Sequence, residues 1–153
     1  METLDPRVRV VWFLGALASA LAVGVAVFVA DRLALDLGVR VDLLVFVALA
    51  VLGGIVALLR YRVWRFEVQE DALYLERGVL TRVTSVVPFV RVQHVDTQRG
   101  PVERLVGLSS VVVYTAGSRG ADVTVPGLAP ERADAIQQRL RALAIESEPE
   151  DAV

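Results

Sequence analysis

The sequence predicts a membrane α + β protein in which a two-helix transmembrane hairpin precedes a small curved antiparallel sheet or barrel capped by a C-terminal α-helix. Three observations carry this expectation. Residues 10–30 form an uncharged apolar run, and a second extends from Leu43 to Leu59. From Val63 the hydrophobic period then changes to two, and it becomes helical again only after Pro130.

The first run, Val10 to Ala30, holds twenty-one residues without a charge. As a helix it spans about 31 Å at ~1.5 Å per residue, the thickness of a bilayer's hydrocarbon core. A cleaved signal peptide is the rival reading, encouraged by Ala18-Ser19-Ala20, yet apolar sequence continues for ten residues beyond that point, where a cleavage region would end. The second run is shorter, but Arg60, Tyr61, Arg62, Trp64 and Arg65 follow it at once. Tyr and Trp rings favour headgroup depth and Arg side chains snorkel, so residues 43–59 are expected to span as well.

Orientation follows from the flanks. Arg7 and Arg9 precede the first run and three arginines follow the second, while the linker of residues 31–42 holds three Asp against two Arg. Residues 1–9 and everything after residue 60 are therefore expected in the cytoplasm, with 31–42 outside it, giving a multi-pass protein of the cell membrane with both termini cytoplasmic. Gly15/Ser19, Ala18/Ala22 and Gly53/Ala57 supply small-residue pairs four apart that permit close helix approach. Neither run holds an ionisable residue, so a proton relay or ion pathway has no side chains to carry it.

Beyond the membrane, Trp64, Phe66 and Val68 alternate with Arg65, Glu67 and Gln69, the pattern of a half-buried strand. Glu70-Asp71 reads as a turn into a second strand carrying Leu73 and Leu75, and further strands are expected over 81–87, 89–95, 111–115 and 121–125. After Pro130, Ala133, Ile136, Leu140 and Leu143 recur at helical spacing, with Glu131 and Asp134 early and Arg139 and Arg141 late, the polarity the helix dipole prefers. Residues 60–145 thus form one domain, and the acidic tail 146–153 is expected to be disordered.

Composition narrows the chemistry. The chain has no cysteine and a single histidine, His94, which removes disulfides, thiolate sites and most zinc architectures. Residues 66–153 carry nine Arg against thirteen acids, a balance opposed to nucleic acid as a partner. No cofactor, metal or catalytic residue is expected, and an enzyme is disfavoured. A triad of His94, Asp96 and Ser109 or Ser110 has no motif around it, and the preferred reading of His94 is an ordinary strand histidine. Gly117, Ser118, Arg119 and Gly120 suit an anion cradle, but a plain hairpin turn needs the same residues.

Val87-Pro88-Phe89-Val90-Arg91-Val92-Gln93-His94-Val95, Val102-Glu103-Arg104-Leu105-Val106-Gly107-Leu108, Thr115-Ala116-Gly117 and Val125-Pro126-Gly127-Leu128 together resemble the bacterial PH domain of the YdbS-like membrane proteins. The resemblance implies a PH-like fold after N-terminal membrane helices, and no general biochemical activity. It also implies partners of its own kind: another PH-domain membrane protein of the same family, or a second copy of the chain. Besides the lipid bilayer itself, these are the expected partners. The candidate interaction residues are Arg91, Gln93, Arg104 and Arg119, with strict alternation placing Arg91 and Gln93 opposite Val90, Val92 and His94. Arg60, Arg62 and Arg65 form a juxtamembrane basic cluster, fewer than the four to eight charges of a dedicated lipid patch and better read as a topology signal. The leading expectation is a non-enzymatic membrane interaction module; the alternative is recognition of anionic lipid or a small ligand.

Overall fold

The structure, a computed structural model, describes residues 1–35, 40–117 and 122–147. Two long helices come first: α1, Val8–Ala30, continued by a π-helical turn over Asp31–Leu35, and α2, Val41–Val63. Each is longer than its uncharged run, because the flanking arginines continue the helix beyond the apolar segment. The helices are antiparallel, since Phe13 meets Gly54, Ala16 meets Gly53 and Gly24 meets Phe46.

A Cβ on Gly53 would lie 2.5 Å from that of Ala16, so glycine sets this approach. The seam on α1 is Ala16, Ala20 and Gly24, every fourth residue, with Ala16 against Gly53 and Gly24 against Phe46 of α2, and Ala57 is buried one turn beyond Gly53. Of the three small pairs expected to pack, only Gly53/Ala57 lies here. Gly15/Ser19 and Ala18/Ala22 face outward, because helical residues rotate by about 100° per position away from the Ala16 stripe; Ser19 Oγ instead donates to the Gly15 carbonyl (3.0 Å). Almost none of either helix is buried, and Leu21, Val25, Phe28, Leu44, Leu52 and Ile55 stand exposed. A soluble core helix would show the reverse, so these side chains belong in lipid. At the end of the pair nearer the domain, the Arg60 guanidinium lies 4.3 Å over Trp12 and that of Arg9 lies 4.8 Å over Tyr61, a cation–aromatic belt suited to headgroup depth.

The domain holds two open antiparallel sheets. One has the order β1-β2-β3-β4, from Glu2–Thr3, Arg65–Val68, Ala72–Arg77 and Val83–Pro88; the other is β5-β6-β7, from Val92–Gln98, Ser109–Thr115 and Val123–Leu128. A short helix α3, Pro101–Val106, links β5 to β6, and α4, Pro130–Glu146, follows β7. Phe66, Leu73, Leu75, Phe89, Val111, Val113 and Val125 fill the space between the sheets, and α4 covers it with Ala133, Ile136 and Leu140, the stripe its spacing predicts. The PH-like arrangement expected from the sequence is present, with the sheets not closed into a barrel.

Two local expectations need correction. Phe89–Arg91 is a 3-10 turn rather than the start of a strand, because Phe89 must leave the first sheet to enter the core. A bulge between Val92 and His94 then breaks the alternation, so Gln93 and His94 are both exposed. Arg119, with its neighbours Ser118 and Gly120, lies outside the described residues, as does the tail beyond residue 147.

The first nine residues are more than a leader to the membrane. β1 pairs with β2 through Glu2↔Phe66 and Thr3↔Arg65, and Leu4 and Val8 are each only 2% exposed within the core. Burying each side chain contributes about 1.5–3 kcal/mol. The Asp5 backbone N–H donates to the Gly127 carbonyl (2.8 Å), Arg7 Nη1 donates to the Val106 carbonyl (3.0 Å), and Arg132 donates to the Glu2 carboxylate. Gly127, at φ +62°, makes the fit possible: a Cβ there would lie 2.5 Å from Val8 Cβ. Both ends of the helical hairpin consequently meet one folded unit.

Candidate functional site

β5 is an edge strand, hydrogen-bonded to β6 on one side only. Its other side opens into a groove of about 490 Å³ between the strand and α4, lined by Val92 to Asp96 and by Gln137, Arg141, Ala144 and Ile145. Gln137 Nε2 reaches across to the outward-facing Val95 carbonyl (2.8 Å). By the two-residue alternation of a strand, the N–H and C=O of Thr97 leave the same edge. The groove thus combines backbone polar groups along one wall, an amide bridge in the middle, and a floor and rim that mix apolar Val92, Ala144 and Ile145 with the charges of Asp96 and Arg141.

The His94 ring stacks on Tyr114 with centroids 4.1 Å apart, and its Nε2 stands 3.9 Å from Asp96 Oδ2. Tyr114 Oη in turn accepts from Gln98 Nε2 (3.3 Å). This network stiffens the face of β5 beside the groove. Neither serine joins it: Ser110 Oγ donates to Glu103 Oε1 (2.6 Å) and Ser109 Oγ to the Gln98 carbonyl (3.2 Å). Gln98, not His94, is the residue opposite Ser110, so neither of these serines meets the imidazole.

Of the residues the sequence singles out, Gln93 lines the groove. Arg91 ends the 3-10 turn just before it and Arg104 sits on α3, which packs against α1. All three side chains are exposed and form no hydrogen bond or ion pair among the described residues. The structure therefore does not gather them into one site. Arg60 packs on Trp12, while Arg62 and Arg65 point outward at the end of α2 and in β2.

Other residues of the recurring motifs do structural work. Glu103 Oε2 accepts from the Gly100 N–H (2.8 Å) while its other oxygen holds Ser110, so one carboxylate caps α3 and ties it to β6. Gly107, at φ +70°, ends α3, with the Leu108 N–H donating to the Glu103 carbonyl (2.8 Å). Beside β7, on the other edge of the sheet, Asp5 is held below the usual carboxylate range by hydrogen bonds from Arg7, against a smaller opposing effect of burial.

Sequence reasoning missed the α4 wall. Gln137 and Arg141 each follow a buried stripe residue, Ile136 and Leu140. Such border positions are where a packed helix meets its neighbour's rim, and that was the available signal.

Comparison with known proteins gives two matches. The model of the bacterial PH domain family matches residues 12–144. Over 102 residues the chain is 35% identical to the UPF0699 transmembrane protein YdbS of Bacillus subtilis (strain 168). That stretch is 63% of this chain and 62% of the relative, so the match spans less than two thirds of its length. No solved structure matches.

Proposed function

Because this chain belongs to the bacterial PH domain family, we propose that it is a non-enzymatic, membrane-anchored interaction module whose PH-like domain, at the cytoplasmic face, receives an extended segment of another membrane protein along β5. The observation that carries this is the groove between α4 and the outer edge of β5, an edge bridged at Val95 by Gln137. A strand laid there takes over the Val95 carbonyl from Gln137 and pairs with the outward backbone groups of β5, while its side chains reach the α4 wall. The partner fitting a membrane-held groove is itself held at the membrane: another PH-domain membrane protein of this family, or a second copy.

A photo-activatable amino acid replacing Gln93, in intact membranes, tests the reading. The expected result is a crosslink to one membrane protein, identified by mass spectrometry, with none from the same probe at Glu70 across the domain. Absence of any protein crosslink from position 93, together with a monomer in mild detergent, refutes it. A second reading, recognition of anionic lipid by the domain, draws on the exposed guanidinium groups of Arg91 and Arg104, which have no ion pair among the described residues. Salt-sensitive enrichment of anionic lipid that disappears in the Arg91→Gln, Arg104→Gln double variant would favour it.

A further inference from the structure

The β3–β4 loop carries a feature that the interaction groove does not explain. Leu80, at its tip, is 100% exposed, in the segment Arg77-Gly78-Val79-Leu80-Thr81-Arg82. A fully exposed leucine is ordinary when isolated on a wet surface, so its position decides what it means.

That position follows from the topology. β2 departs from the end of α2, and the pairing of Arg65 with Glu76 brings β3 back to the same place. The loop then continues past the foot of the domain. At ~3.3 Å per residue its tip extends up to about 10 Å beyond Arg77. Arg60 lies four residues before Trp64, about 6 Å at ~1.5 Å per residue. That bound lets Leu80 extend to the depth of Arg60. The side chains agree: Arg60, Trp64, Arg77, Gly78, Val79 and Val83 line one cleft of about 290 Å³, so the loop stands beside the last turns of the membrane helix. Gly78, at φ +100°, makes the turn tight; a Cβ there would lie 1.9 Å from the Thr81 carbonyl oxygen.

Depth and chemistry coincide. Arg60 and Arg9 lie over Trp12 and Tyr61 at this level, the belt that marks the headgroup region. The loop continues that belt with an apolar tip flanked by Arg77 and Arg82; residues 77–82 hold no carboxylate, and none lines the cleft among the described residues. At the opposite end of β3 the turn from β2 is Gln69-Glu70-Asp71. The two turns flanking β3 therefore differ, one basic and apolar toward the membrane and the other acidic and away from it.

From this we infer that the β3–β4 loop is a third membrane contact, in which Leu80 enters the boundary between headgroups and acyl chains while Arg77 and Arg82 face lipid phosphates. The contact fixes the rotation of the domain about the helical hairpin and so sets the direction in which the β5 groove opens. It rests on the placement of the helices in the bilayer and not on the groove having a protein partner.

The chain has no cysteine, which makes the test direct. Leu80→Cys, carrying an environment-sensitive fluorophore, is placed in the full-length protein in vesicles of phosphatidylcholine and phosphatidylglycerol, beside Glu70→Cys labelled in the same way. The expected result is blue-shifted emission at position 80, quenched by spin-labelled lipid and shielded from aqueous iodide, with the opposite behaviour at position 70. Iodide quenching at position 80 equal to that at position 70 overturns the inference. Shielding from both quenchers overturns it as well, since the loop would then be covered by protein.

Discussion

Leu4→Ala separates a docked N-terminal segment from a mere leader. Leu4 is 2% exposed in the cluster that holds Phe66, Leu75 and Val125. A buried Leu→Ala change costs about 2–5 kcal/mol, through lost transfer energy and the cavity left behind, a large share of the ~5–15 kcal/mol that holds a domain together. Leu105→Ala is the matched control: the same change at a side chain 87% exposed on α3 is expected to stay within about 0.5 kcal/mol. Unfolding of a membrane protein is not a clean two-state transition, so amide hydrogen exchange in lipid nanodiscs is the suitable assay. The amides of Arg65 and Phe66, on the strand paired with β1, should exchange at least about thirty-fold faster in Leu4→Ala, the factor equivalent to ~2 kcal/mol. If they accelerate no more than in Leu105→Ala, the segment does not belong to the core and the argument for both hairpin ends meeting one unit fails.

Gly127→Ala should lower the thermal midpoint, read by tryptophan fluorescence, more than Gly107→Ala. Both need a left-handed backbone costing about 1–2 kcal/mol for alanine, but only Gly127 faces Val8 Cβ at 2.5 Å, whereas Gly107 faces the movable tip of Arg7 at 3.1 Å. Asp5 carries a pH signature. Its folded pKa lies below the unfolded value because Arg7 hydrogen-bonds the charged form, so its contribution is complete above about pH 4 and is lost as pH falls through the depressed folded value. Asp5→Asn should accordingly exchange faster than the wild type near neutral pH and match it in acid. Finally, Arg40→Cys, between the two membrane helices, should react with an impermeant maleimide added outside intact cells, and Glu70→Cys only after lysis; the reverse pattern refutes the cytoplasmic placement.

Period and charge made most of this architecture legible. Uncharged length announced the two helices, alternation announced β2 and β3, and the Ala133, Ile136, Leu140 stripe announced how α4 packs. Features arising from contacts between distant segments were not legible. Glu2-Thr3 is too short for a period, and Leu4 and Val8 look like the approach to a membrane run, so nothing local marks them as core. The Gln93 bulge hides in a β-branched segment that alternation reads straight through. Small-residue pairs at spacing four were found on three faces, and only the packing of α1 against α2 selects one of them, Gly53/Ala57. For the site, Gln93 was reachable from its motif, while Gln137 and Arg141 become visible only once α4 is seen alongside β5.

The docking of Leu4 and Val8 has a consequence for biogenesis. These side chains are synthesised ahead of both membrane helices, yet Leu128 and Leu140, which complete their surroundings, follow about 120 to 140 residues later. At about 5–20 residues per second, the interval is roughly 6–28 s. Both membrane helices are made within it, so the opening segment has to wait, unsheltered, on the side where its pocket will later form. Glu2, Asp5, Arg7 and Arg9 surround the two apolar side chains and keep the waiting stretch hydrated. Removing these charges is thus expected to harm insertion and assembly more than it harms the finished protein.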